Sequence, residues 1–81
     1  METETHGQIF AEMARVAELP VKPMYRLREV ERASGIPYST LSLAVRSGEM
    51  KSFMPVGQSR GMRVKPEWFD DWFMRGVRNA S

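Results

Sequence analysis

Gly35 and Pro37 stand two residues apart between two stretches of helical apolar spacing, and that pair limits what the chain can build. Glycine ends a helix by adopting the left-handed conformation just past it, whereas proline is tolerated only in a helix's first turn. The text "LREVERASGIPYSTLSLAVRSGEM" therefore predicts two short helices joined by a tight turn. In the first, Leu27, Val30 and Ala33 face a core. In the second, Leu41, Ala44 and Val45 form the inward stripe, Tyr38, Ser39, Ser42 and Arg46 face outward, and Gly48 is the stop.

The flanking text adds three elements. In "THGQIFAEMARVAEL", Ile9, Phe10, Met13, Ala14, Ala17 and neighbouring Val16 fall on one side of an amphipathic helix over residues 7–19, with Thr5 and Gln8 in capping-box spacing. "PVKP" ends that helix, because closely spaced prolines favour an extended connector. After Gly48, "MKSFMPV" and "MRVK" flank the glycine-bounded loop "GQSRG" and predict a β-hairpin with a basic tip, Pro55 marking an exposed strand edge. "KPEWFDDWFMRG" then predicts a closing helix that starts at Pro66 and Glu67 and turns Phe69, Trp72, Phe73 and Gly76 inward. The expected fold is mainly α with a small β-hairpin: a winged helix-turn-helix over residues 22–78, preceded by a helix and linker (1–21) that look like an appendage, and followed by a tail (79–81).

With 81 residues the chain permits one compact domain and no large substrate pocket. There is no cysteine and one histidine, so neither a disulfide framework nor a Cys/His zinc site has its ligands, and the seven methionines read as adaptable packing instead of a metal set. No cofactor or metal is expected. The beginning lacks the pattern of a signal peptide and no apolar run is long enough to span a bilayer, so the expectation is a soluble, cytoplasmic protein. The formal charge of +2 is unevenly distributed. Between Lys22 and Lys65 nine Lys/Arg oppose three acids, while residues 1–21 carry −3 and residues 66–81 carry −1. A basic centre between acidic flanks steers an anionic partner to the helix-turn-helix and hairpin.

The succession of helix, tight turn, helix, "RSGEM", basic hairpin and "VKPEWFDDWF" resembles the excisionase family, small winged-helix proteins related to the DNA-binding part of MerR-type regulators. The resemblance covers residues 25–73 and rests on Glu29 and Val30, Gly35 and Ile36, Thr40 and Leu41, the run at 46–50, Arg60 and Arg63, Val64, Glu67, Phe69, Trp72 and Phe73. The chain departs from the family where Arg26 replaces a capping Thr/Ser, where Pro37 replaces a capping Ser, and in its longer hairpin. The resemblance implies a non-catalytic, architectural protein that binds double-stranded DNA beside an attachment sequence, often cooperatively, bends it, and directs an integrase toward excision.

Duplex DNA offers phosphates, which need cations, and base edges, which need short orientable donors. Tyr38, Ser39, Ser42 and Leu43 are the candidates for base edges and thymine methyls, and Arg46 for guanine or phosphate. Taken alone, Ser39, Thr40 and Ser42 read sooner as an exposed helix end than as base contacts; the basic wing reverses that reading. Arg60, held between Ser59 and Gly61 at the tip, is the leading candidate, with Ser59 beside it. Arg63 and Lys65 alternate on one face of the returning strand and suit phosphates; Arg28, which shares a helix face with Arg32, suits a phosphate or, equally, an intrahelical pair with Glu29 or Glu31 or a solvated surface.

Trp72 and Phe73 read as core. Trp68 is expected to lie under the N-terminal helix, near Ile9, Phe10 or Met13, or else to mark a protein-binding stripe. Asp70 and Asp71 read as a solvated helix surface, and with a lone His6 and no phosphate-cradling glycine loop no catalytic set emerges. Two further readings stay open: a small MerR-like transcriptional regulator, or the DNA-binding part of a phage packaging protein, and, from a different class, a protein-interaction adaptor.

Overall fold

The computed structural model describes residues 7–58 and 61–77. In chain order the elements are α1 (Gln8–Val16), β1 (Tyr25–Arg26), α2 (Leu27–Ser34), α3 (Tyr38–Arg46), β2 (Arg63–Val64) and α4 (Pro66–Arg75). The protein is mainly helical, with one small antiparallel β pair. Among the described residues no helix is long and apolar enough to cross a membrane.

α1 buries Phe10 and Ala14, one helical turn apart, and half-buries Ile9, Met13 and Ala17. Val16, expected on that side, is 69% exposed, since six residues beyond Phe10 it has rotated away from the core. The helix ends before the prolines. Glu18 takes a left-handed φ of 62°, its N–H bonds to Arg15 O at 3.0 Å, and the N–H of buried Leu19 reaches back to Ala14 O at 2.9 Å, a Schellman turn with glutamate where glycine is usual.

The other end of α1 is closed from a distance. Its N-cap, Gly7, supplies no side chain, and Thr5 lies outside the described residues. The Asp70 carboxylate of α4 instead accepts the N–H of Ile9 at 2.9 Å and of Phe10 at 2.8 Å. Asp70 is only 8% exposed, which corrects its reading as a solvated acid; Asp71 is exposed, 3.8 Å from Arg75. The two helix starts meet closely here, because a Cβ on Gly7 would stand 3.0 Å from Pro66 Cβ.

α2 begins at Arg26, whose side chain has no acceptor to offer as a cap. Half a capping box compensates: Glu29 Oε1 accepts the Arg26 N–H at 3.0 Å, and Lys22 Nζ sits 2.6 Å from Glu29 Oε2. Burial pushes the Glu29 carboxyl up, but the Lys22 and Arg26 contacts outweigh it and hold it below the usual range. Gly35 closes α2 with φ 79° and its N–H on Glu31 O at 2.7 Å, as its place in the sequence predicts.

α1, β1 and α4 meet through an aromatic cluster. The ring of Phe10 lies 4.7 Å from that of Tyr25 and 5.4 Å from that of Phe69, which also neighbours Trp72 and Phe73 at 5.8 and 5.6 Å. Leu27, Val30, Leu41, Ala44, Met50 and Val64 complete the same core, so the N-terminal helix shares one hydrophobic cluster with the elements that follow it. Gly76, expected inward, is exposed.

The strand pairing differs from the expected hairpin. β2 pairs with β1, Tyr25 opposite Val64 and Arg26 opposite Arg63, whereas the "MKSFMPV" segment contributes only Phe53, which exchanges two 2.8 Å hydrogen bonds with Arg63. Extending that ladder in register would put Pro55 opposite Gly61 in the next hydrogen-bonded pair, and proline has no N–H to give. The other edge is ready-made, because Tyr25 is buried and its hydroxyl donates to Pro20 O at 2.8 Å and accepts the Lys22 N–H at 2.9 Å.

Candidate nucleic-acid interface

α3 divides cleanly into two faces. Leu41 and Ala44 are buried and Val45 is half-buried, while Ser39, Leu43 and Arg46 are exposed and Ser42 half-buried. Positions 39, 42, 43 and 46 follow the i, i+3, i+4, i+7 rule, so two hydroxyls, an isobutyl group 62% exposed and a guanidinium share one stripe. Short hydroxyl donors, an apolar group and a guanidinium fork are side-chain types that can meet base edges.

Tyr38, at the head of that stripe, is half-buried, its ring packed partly against the core. The Arg28 guanidinium stands 4.2 Å from the ring centroid, within cation–π range. Since Pro37 carries no capping oxygen, the start of α3 is secured otherwise. Thr40 and Leu41 N–H bond to Pro37 O at 3.0 and 3.1 Å, and the Tyr38 N–H bonds to Glu31 Oε2 of α2 at 3.2 Å. Within the turn, Ser34 Oγ donates to Val30 O at 2.7 Å and accepts the Ile36 N–H at 3.1 Å.

The pairing register brings a further arginine to this place. Arg26 and Arg63 are direct cross-strand partners, a like-charge pairing that disfavours the bare sheet. Arg63 turns Nη1 onto Gly61 O at 3.0 Å. Arg26, Leu27, Arg28, Tyr38, Gly61 and Met62 line one shallow cleft of about 160 Å³, so the end of the long loop lies beside the start of α3. Among the described residues neither Arg26, Arg46 nor Arg63 has a carboxylate within 4 Å, whereas Arg28 lies 3.6 Å from Glu31.

Of the sequence-predicted residues, Tyr38, Ser39, Ser42, Leu43 and Arg46 lie along α3, Arg28 covers the ring of its first residue, and Arg63 lies on β2 opposite Arg26. Lys65 is held elsewhere, as the N-cap residue of α4, with its ammonium 3.7 Å from Glu67 and 5.6 Å from the Trp68 ring. Ser59 and Arg60 lie outside the described residues. Phe69 and Asp70 receive α1, while Trp68, half-buried against the same core, lines a groove with Gly48, Glu49, Lys51 and Asp71. Arg26 was missed, because nothing local announces which strand it will pair with; the pairing of Arg28 with Glu31 was legible from helical spacing, but not the bond from Glu31 to the Tyr38 N–H across the turn.

The arrangement offers cations on two strands and a helix, short donors on one stripe, and no cluster of three or more His, Cys, Asp or Glu among the described residues. Compared with known proteins, the chain matches no family model, no curated protein and no solved structure.

Proposed function

We propose that the protein is a sequence-specific DNA-binding module of the winged helix-turn-helix kind that shapes DNA beside an attachment sequence and directs an integrase toward excision. The observation that carries the DNA-binding part is the cross-strand pair Arg26–Arg63, of which Arg26 lines one cleft with Arg28 and with Tyr38 at the start of α3. Two arginines at directly paired positions concentrate positive charge on one face of the β pair, which a bound phosphate stabilises. With that anchor on the backbone, α3 lies in the major groove and Ser39, Ser42, Leu43 and Arg46 meet base edges, Arg46 alone having the fork for a bidentate guanine contact. The loop that ends at Gly61 acts as the wing on the adjacent groove; the arginine expected at its tip, Arg60, lies outside the described residues.

The excision role rests on the family resemblance and on size. A domain of this length that bends a duplex must offset about 1–6 kcal/mol of deformation energy, which favours several copies on adjacent sites and contact with a recombinase. The protein contributes shape and no bond cleavage.

Footprinting with increasing protein, on the attachment region of the source replicon and on the gene's own promoter, tests this reading. The expected result is cooperative protection of adjacent sites at the attachment region, with Arg46→Ala weakening binding by about tenfold or more, the loss of one good bidentate contact. Protection of a single promoter site would replace the excision role with transcriptional regulation. No protection at either, together with an Arg46→Ala variant indistinguishable from wild type, would reject DNA recognition by α3.

A further inference from the structure

Within the proposed interface the Glu31 carboxylate holds Arg28 and Tyr38 together at the start of α3. Glu31 Oε2 accepts the Tyr38 N–H at 3.2 Å, its Oε1 stands 3.6 Å from Arg28 Nη1, and the Arg28 guanidinium lies 4.2 Å from the centroid of the Tyr38 ring. The three form a closed set: one acid fixes the first N–H of α3 and the cation that covers the first ring of α3. Glu31 is half-buried with its side chain 38% exposed, whereas Arg28 is 76% exposed, so the acid is the fixed member and the arginine the one it restrains.

A carboxylate in a surface meant for phosphate is costly unless it does something for recognition. Building on the DNA-binding reading above, we propose that Glu31 is a specificity-determining positioning residue: it keeps Arg28 stacked on Tyr38 and partly neutralised, so that this cation does not seize any passing phosphate. The neighbouring Arg26 and Arg63 guanidiniums have no carboxylate within 4 Å among the described residues and supply the backbone anchor, which leaves discrimination to α3. Glu31 does not contact DNA in this account. It acts through Arg28.

The test compares wild type, Glu31→Gln, Arg28→Ala and the double variant on a random-sequence duplex and on a duplex carrying the footprinted sequence, each over a range of salt. Glutamine keeps an oxygen for the Tyr38 N–H and removes only the charge, so the start of α3 is preserved. Glu31→Gln is expected to bind random duplex about two- to fivefold more tightly, the range a released surface ion pair allows. Its log–log salt slope should steepen by about 0.9, one more phosphate neutralised. The ratio of specific to random binding should fall, and all of these changes should vanish in the Arg28→Ala background.

A residue that merely capped α3 would leave the salt slope of Glu31→Gln at the wild-type value, and that result overturns the proposal. Changes that persist without Arg28 overturn it as well, because the charge would then act through the general field. A wild-type chain that binds neither duplex removes the DNA-binding reading and this role together, whereas normal wild-type binding with an unchanged Glu31→Gln removes this role alone.

Discussion

Replacing Asp70 by alanine is expected to lower the unfolding free energy by about 2–4 kcal/mol, the cost of losing two hydrogen bonds to a charged acceptor at a helix start. The first N–H groups of a helix have no partner within it, and the charge also meets the positive end of the helix dipole. Here the acceptor comes from 61 and 60 residues away, so its loss detaches α1 from α4 as well as uncapping it. Asp70→Asn should recover part of the loss, since an amide offers one acceptor oxygen and turns a donor toward the second N–H. Asp71→Ala is the internal control: Asp71 is exposed and paired only with Arg75 at 3.8 Å, and its removal should stay within about 0.5 kcal/mol. Urea midpoints of the three variants decide the matter, and equal midpoints for Asp70→Ala and Asp71→Ala would dismiss the cap.

Phe69→Ala should be more damaging, by about 3–5 kcal/mol. The side chain is 0% exposed, and its ring neighbours Phe10 from α1 and Trp72 and Phe73 from its own helix. Its removal opens a cavity at the junction of two helices and forfeits aromatic pairings worth about 0.5–1.5 kcal/mol each. Small domains have about 5–15 kcal/mol in all, so the variant should be largely unfolded with mild denaturant and lose its near-ultraviolet circular dichroism. Trp68→Ala is the comparison, because Trp68 is larger yet half-buried and faces a groove. A Trp68→Ala variant that unfolds while Phe69→Ala melts near wild type would mean that the inward face of α4 is assigned to the wrong residues.

What the sequence discloses here is local. Apolar spacing gives the angle of each residue about its helix axis, and Gly35, Gly48 and Pro66 mark where those axes begin and end; Leu41, Ala44 and Val45 accordingly lie where their spacing places them. Spacing does not say what an element meets. Asp70 is one step round the helix from Phe69, and identity alone marks it as a surface acid until α1 arrives and presents two bare N–H groups. The partner of β2 was hidden for a related reason. The nearest segment in sequence is favoured by loop closure, but Pro55 withholds a donor from it, while Tyr25, anchored through Pro20 and Lys22, holds a complete edge ready from much further away. The electrostatics of the proposed interface follow from that pairing, since Arg26 and Arg63 face each other only in this register.

The most direct measurement on the central claim is a map of backbone amide chemical shifts as duplex DNA is added to the labelled protein at two salt concentrations. The account predicts the largest changes at Arg26, Arg28, α3 and residues 61–63, diminishing as salt rises, with α1 and residues 72–77 nearly unaffected. Changes confined to the α1–α4 end of the molecule, or none at either salt, would contradict it.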